Sequence, residues 1–350
     1  ELDPFVTQLS EKIGKPVTYR NPIVDATLPD GSRINLVFGS DVSKRGSNFT
    51  IRKFSAEPLS MIQLVEFGGL TYEMAAFLSL AMLHRNVVPV ITIGDDDEGR
   101  RLVAEFVEAG AIVDHIYRKA GVRSPIIAQD VDTASGVHGF RFVCPDTYES
   151  LPQYEPISES EAASALHILT QCSVFYADRL SSGIIHAMRA AKLSGAIVFF
   201  EPSDVDHDEL FREALELTSI LKYSVDRLGD RLAELEYDCI RIVTHGADGL
   251  EVHHDGSAVW CSAVSAPAIL DTCGSGDMVS VGVIDWMLSS GVSAESLDVT
   301  YLLEGVLAGQ RLAAENCAFA GARGLFKQCG PAYAREVLRE CPDRYSAASK

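Results

Sequence analysis

The stretch Asp271-Thr272-Cys273-Gly274-Ser275-Gly276-Asp277 runs directly into an apolar series that includes Met278, Val279 and Val281. Small residues at 273–276 let backbone N–H groups converge at the start of a helix, where the macrodipole favours an anion. Such a loop suits a phosphate. Asp277 stands at the helix entrance beside that anion hole. There it is placed to take a proton from an attacking hydroxyl while the hole holds the charge of a transferred phosphoryl group. The same carboxylate equally suits a helix N-terminus with no chemistry at all. Spacing alone leaves both readings open.

Positioning such a loop requires a rigid scaffold, and the chain from residue 84 onward supplies the pattern for one. Short apolar runs at 87–93, 173–177, 196–200 and 240–244 have strand length. Helical patterns follow or separate them at 183–193, 208–217 and 226–235. Strand, helix, strand at this spacing predicts an α/β fold with a mainly parallel sheet covered by helices on both faces, a three-layer arrangement. His253-His254-Asp255-Gly256 reads as a hairpin turn with solvated histidines, and Trp260 and Trp286 are core candidates.

Residues 1–83 read differently, as a small α+β segment. Strands are expected around 33–38 and 48–54, with a Pro29-Asp30-Gly31 turn before the first. A short helix is expected to begin at Ser60, and another to open at Thr71 and Glu73 and run through about Leu83. Charge also breaks at this point: residues 1–83 hold 8 Lys and Arg against 9 Asp and Glu, whereas 84–350 hold 22 against 40. Two segments of different origin, 1–83 and 84–345, are the expected organisation.

The formal charge of −19 argues against a nucleic-acid partner, which calls for an excess of Lys and Arg. No run of about 18 apolar residues suggests membrane insertion, and Glu1-Leu2-Asp3-Pro4 does not have a signal-peptide profile. A cytoplasmic location is the expectation. Eight cysteines without a C-x-x-C pair predict reduced, mostly buried thiols rather than a zinc site or a disulfide framework.

The D-T-x-G-[AS]-G-D pattern at 271–277, at the head of an apolar helix in the C-terminal third of an α/β chain, resembles the second signature of the ribokinase-like (PfkB) carbohydrate kinases. The resemblance covers about residues 84–340. It implies that Asp277 is the catalytic base, that Gly274, Ser275 and Gly276 form the anion hole, and that Asp271 and Thr272 lie close to substrate or a bound cation. Thr244-His245-Gly246-Ala247-Asp248-Gly249 is similar to the family's T-x-G-x-x-G turn, which implies nucleotide contacts at Thr244, Gly246 and Gly249. Ala314-Glu315-Asn316-Cys317 and the Gly321-Ala322 turn are similar to the adenine-side helix and turn, which adds Asn316, Gly321 and Ala322. Glu201-Pro202-Ser203 takes the place of a D-x-N motif, so Glu201 is a candidate substrate contact or a helix-leading turn residue. Gly94 to Arg100 resembles a G-x-D-x-x-G turn that would support the sugar site.

Two departures stand out. Where the family carries N-x-x-E, which helps position magnesium and phosphates, this chain reads Lys222-Tyr223-Ser224-Val225-Asp226-Arg227. Lys222 and Ser224 remain nucleotide-side candidates, but Ser224 and Arg227 replace the amide and the carboxylate, and no metal ligand is assigned. In addition, the family's first strand, its lid and a Gly-Gly segment have no clear counterpart; Gly68-Gly69 reads as coincidence. The front segment, residues 15–83, instead resembles the N-terminal region of archaeal type II/IV secretion ATPases, with Arg45 and Arg52 at matching positions. No G-x-x-x-x-G-K-[ST] phosphate loop accompanies it.

The expectation is therefore an ATP-dependent phosphotransferase that uses ATP and Mg2+ on a hydroxyl of a small-molecule sugar or nucleoside. The alternatives are a secretion- or pilus-ATPase-related binding component without its motor, or a fusion that binds nucleotide with little turnover. A homodimer is left open.

Overall fold

The computed structural model describes residues 2–28, 33–39, 42–43, 46–52, 75–84, 86–131, 138–144, 147–202, 208–232 and 238–339. The chain divides into two compact units, Glu1–Ser60 and Met61–Lys350. In the small unit, helix α1 (Asp3–Lys12) starts with Pro4 in its first turn, where the missing N–H costs nothing. Strands β1 (Ile23–Thr27), β2 (Arg33–Val37) and β3 (Asn48–Arg52) form an antiparallel meander in that order. Val6 of the helix packs with Val17, Val24, Ile34 and Leu36 in a core of its own. The expected Pro29-Asp30-Gly31 turn, Arg45, Gly68-Gly69 and the helix starts at 60 and 71–73 lie outside the described residues.

The larger unit carries helix α2 (Ala75–Leu83), strand β4 (Ile91–Gly94), helix α3 (Asp97–Ala109) and strand β5 (Ile116–Lys119), with β4 and β5 paired in parallel. Asp96 caps α3: its carboxylate accepts from Gly99 N at 2.9 Å and from the Ser124 hydroxyl and amide, the structural support expected of this turn. The hairpin β6 (Ala128–Val131) and β7 (His138–Arg141), not anticipated from the sequence, follows. Short helices α4 (Glu159–Ser164) and α5 (Leu166–Leu169) then lead into the main sheet.

That sheet runs β13-β12-β11-β10-β9-β8. Strands β8 (Val174–Ala177), β9 (Ile197–Phe200), β10 (Ile220–Ser224) and β11 (Ile240–Thr244) are parallel. Strands β12 (Gly249–His254) and β13 (Ser257–Ser262) add antiparallel to the edge. Their two-residue turn, Asp255-Gly256, has positive φ at both positions, as a tight hairpin requires. Helices α6 (Ser182–Leu193), α7 (Asp208–Leu217) and α8 (Val225–Leu232) connect the parallel strands. Helices α9 (Ser275–Ser290), α10 (Val299–Asn316) and α11 (Gly324–Arg339) complete the unit.

Alternation along each strand assigns the two faces. Ile197, Phe199, Ile220, Ile240 and Ile242 pack with α9, α10 and α11 and with Ala76, Leu80 and Leu83 of α2. Val198, Phe200, Leu221, Tyr223 and Val243 pack with Ile185 and Met188 of α6 and with Phe211 of α7. Four residues of β9 are fully buried, two to each face, which is why Ile197–Phe200 reads as an uninterrupted apolar run. Helix α2, grouped with the front segment by sequence, contributes to the larger unit's core, and Arg335 of α11 donates to its last carbonyls at Met82 and Leu83. Of the described cysteines, all are free thiols. Among the described residues no helix is long and apolar enough to cross a membrane.

Candidate active site

The 271–277 loop is built from both ends. Asp271 is buried; one carboxylate oxygen accepts from Cys273 N at 2.9 Å and the other from Gly321 N at 2.8 Å. Asn316, wholly buried at the end of α10, donates to the carbonyls of Cys273, Gly321 and Ala322 and accepts from Leu325 N at 3.1 Å. These two side chains fasten the loop to the 321–325 turn. Their geometry is that of braces: burial has turned both polar groups onto backbone partners. Thr272 enters through its carbonyl, which accepts from Ser275 N at 3.3 Å and from Ser275 Oγ at 2.8 Å.

Gly274 takes the left-handed conformation, φ 75°, that turns the chain into α9, and a Cβ there would stand 2.5 Å from Ala322 Cα. Gly276 is different: it is exposed, and a Cβ would meet only Lys222 Nζ at 3.6 Å and Glu201 Oε1 at 3.8 Å. The amides of Gly276 and Asp277 belong to the first turn of α9, whose donors have no partner within the helix. The positive end of a 16-residue helix lies at these amides.

Strand parity brings the reactive groups together. Tyr176, Asp178, Glu201 and Lys222 occupy the parity of Val174, Phe199 and Ile220, the α9 face, at the carboxyl ends of three adjacent parallel strands. This is the edge where α/β sheets bind ligands. Lys222 is 2% exposed and forms an ion pair with Glu201 Oε1. The other Glu201 oxygen accepts from Tyr176 OH at 3.2 Å and from the Ser280 hydroxyl one turn into α9. Glu201, the candidate substrate contact, is thus the hub of a buried network.

Asp277 faces the same crevice. Desolvation and the Glu201 carboxylate push its pKa up to about 7, while Lys222 and Arg227 pull against that rise. Desolvation, Asp277 and Glu201 likewise push Asp178 up to about 8. Desolvation and the surrounding carboxylates hold the Tyr176 phenol well above its ordinary value. Tyr176, Asp178 and Ser280 were not singled out from the sequence; the parity of strand residues and the i, i+3 spacing of Asp277 and Ser280 along α9 carry the signal.

The nucleotide-side candidates lie along neighbouring strand ends. Ser224 closes β10 directly beside Thr244 of β11 in parallel register, and Thr244 Oγ1 donates to Tyr223 O at 3.4 Å. Gly246 begins a single 3₁₀ turn, and Gly249 starts β12 so close to β13 that a Cβ would lie 2.3 Å from Cys261 O. Gly321 and Ala322 form the turn braced against Gly274. Thr244 ends β11 at its carboxyl end, Gly276 lies beside Lys222 and Glu201, and Gly274 lies against Ala322.

Among the described residues magnesium finds no protein-built cage. Ser224 and Arg227 stand where an amide and a carboxylate would be needed, and Glu201 is spent on Lys222, Tyr176 and Ser280. Among the described residues no group of three or more His, Cys, Asp or Glu side chains could hold a metal ion.

The model of the pfkB family carbohydrate kinases matches residues 74–300 of this chain. The chain belongs to the pfkB carbohydrate kinase family. PfkB members are ATP-dependent phosphotransferases, and their fold recurs in solved structures: a fructokinase of Xylella fastidiosa with bound ATP superposes with a TM-score of 0.60 at 18% identity, covering 77% of this chain and 91% of that one. A fructokinase of Escherichia coli is 24% identical over 234 residues, 61% of this chain and 74% of that protein. A different kind of relative, uncharacterized protein MJ0900 of Methanocaldococcus jannaschii, is 50% identical over 82 residues, 23% of this pfkB chain. The pfkB chain covers only 15% of that protein's length. The likeness of residues 15–83 to secretion ATPases is not supported by these findings; the described part of the segment is a helix packed on a three-stranded meander.

Proposed function

We propose that the chain transfers the terminal phosphoryl group of ATP to a hydroxyl of a sugar or nucleoside, with Asp277 as general base. The observation that carries this reading is Asp277 itself: a desolvated carboxylate with a pKa near 7, beside two unpartnered helix amides at the carboxyl edge of a parallel sheet. Such a group is ionised in part at neutral pH yet basic enough to accept a hydroxyl proton as the oxygen attacks. The amides of Gly276 and Asp277 balance charge on the phosphoryl oxygens. Asp271 and Asn316 hold the loop in register, and Lys222 with Tyr176 and Ser280 fixes Glu201 next to the acceptor side. The Thr244–Gly249 and Gly321–Ala322 turns flank the nucleotide side. Magnesium, which the family implies, would travel on the phosphates of the nucleotide.

Measuring ADP release by the full chain with ATP and a panel of fructose, ribose, adenosine and inosine tests the reading. One member of the panel, or a close relative of it, is expected to raise ADP release well above the rate with water alone. An ATP-binding protein whose ADP release no hydroxyl acceptor stimulates would contradict it.

A further inference from the structure

We propose that Arg227 is a phosphate-binding residue, its guanidinium receiving phosphoryl oxygens of the nucleotide at the rim of the Gly274–Gly276 loop. The inference rests on the kinase reading above and assigns a residue within that site. Arg227 lies in the first turn of α8, immediately after β10, and its side chain is exposed. Its guanidinium carbon stands 6.0 Å from the centroid of the Phe140 ring on β7. Phe140 in turn packs against Cys273 of the loop and Ala322 of the bracing turn. One aromatic ring therefore connects the guanidinium to both parts of the phosphate cradle and limits where it can point.

The local charge balance leaves a place for this cation. Asp178, Glu201 and Asp277 share one crevice; Asp178 holds its proton below about pH 8 and Glu201 is paired with Lys222, so the ionised Asp277 is the charge that repels a polyphosphate entering beside them. Two cations act on Asp277, Lys222 and Arg227. Lys222 is buried and committed to Glu201. Arg227 forms no ion pair with a carboxylate among the described residues, and its charge also reaches Cys273, one residue from Gly274. Helix amides supply only about half a unit charge. A guanidinium adds a full one and offers a planar fork that suits two oxygens of one phosphate. The replacement of a family carboxylate by Arg227 thus changes how phosphate charge is met: by a resident cation, where the described residues build no cage for magnesium.

The test is calorimetric binding of sodium tripolyphosphate, ATP and adenosine to the full chain in excess EDTA, comparing wild type, Arg227→Met and Arg227→Lys. Charge-assisted hydrogen bonds of this kind predict that Arg227→Met weakens tripolyphosphate and ATP about 10- to 100-fold. Arg227→Lys is expected to fall between, adenosine affinity to stay unchanged, and the wild-type advantage to shrink as salt rises. Tripolyphosphate and ATP binding to Arg227→Met within twofold of wild type would overturn the assignment while leaving the kinase reading intact. A wild-type protein that binds neither ATP nor tripolyphosphate in EDTA would overturn the assignment, and one that binds no ATP after magnesium is restored would overturn the kinase reading as well. Matching melting temperatures of the three proteins, together with unchanged adenosine binding, separate a lost phosphate contact from a lost fold.

Discussion

The two sides of the 271–277 loop differ in how their polar groups are satisfied. On the bracing side, Asp271 and Asn316 are buried, and their polar atoms are bonded to backbone groups of the loop and the 321–325 turn. On the reactive side, Asp178, Glu201 and Asp277 act on one another in one crevice, Lys222 pairs with Glu201, and Asp178 and Asp277 are pushed up to about 8 and about 7. The bracing side is at rest; the reactive side stores unfavourable charge that a substrate or proton relieves. A fixed loop beside an electrostatically tense crevice is what a proton-abstracting phosphotransferase needs, because only the second part has to change state during reaction.

Removing Glu201 should disturb this contrast most. Glu201→Ala leaves Lys222 charged, 2% exposed and without its partner, so unfolding free energy is expected to drop by about 3–5 kcal/mol. The double variant Glu201→Ala/Lys222→Met should recover most of that loss. Denaturant unfolding of the three proteins checks both statements, and equal stability of single and double variants would mean the lysine finds another partner.

Breaking the brace comes next. Asn316→Ala abandons three carbonyls and the Leu325 amide inside the fold, an expected cost of about 1–3 kcal/mol. ATP binding should weaken in the same variant because the loop loses its tie to the 321–322 turn. Gly274→Ala should be comparably harmful, since its Cβ meets Ala322 at 2.5 Å in a left-handed backbone, whereas Gly276→Ala has room and should leave stability within about 0.5 kcal/mol. Thermal melts of the pair compare two glycines of one motif directly.

The reactive side also predicts a pH signature. Asp178 has an ordinary pKa of 3.8 and is pushed up to about 8 when folded, so between those values the native state holds a proton that the unfolded chain has released. Stability should therefore fall as pH rises from about 4 to about 8, with a slope of at most about 1.4 kcal/mol per pH unit from this group. Asp178→Asn should flatten that slope. An unchanged slope would place the burden on another group.

Much of the loop was legible because its chemistry is local. Gly274 at positive φ and the apolar run of α9 follow from residue types within a dozen positions, and the parallel strands β8, β9 and β11 appear within a residue or so of their expected places. Strand β10 was harder to read because Lys222 interrupts its apolar run, and only the distant Glu201 makes that lysine tolerable inside. Asp178 and Tyr176 look ordinary in sequence; they gain meaning from parity across three strands that are joined only in the folded sheet. Asp271 and Asn316 show the converse, motif residues whose side chains hold backbone. In the front unit, β2 and β3 fall at their expected runs, but α1 has too little apolar periodicity to announce itself.

Asp277→Asn probes the central claim with the least change in shape. The amide keeps the size of the side chain but cannot take up the hydroxyl proton, so acceptor-dependent ADP release should fall by about 10²–10⁴-fold while ATP affinity, measured by calorimetry on the same preparation, stays within about twofold of wild type. Retention of most acceptor-dependent turnover in a folded Asp277→Asn protein would contradict the assignment of Asp277 as the base.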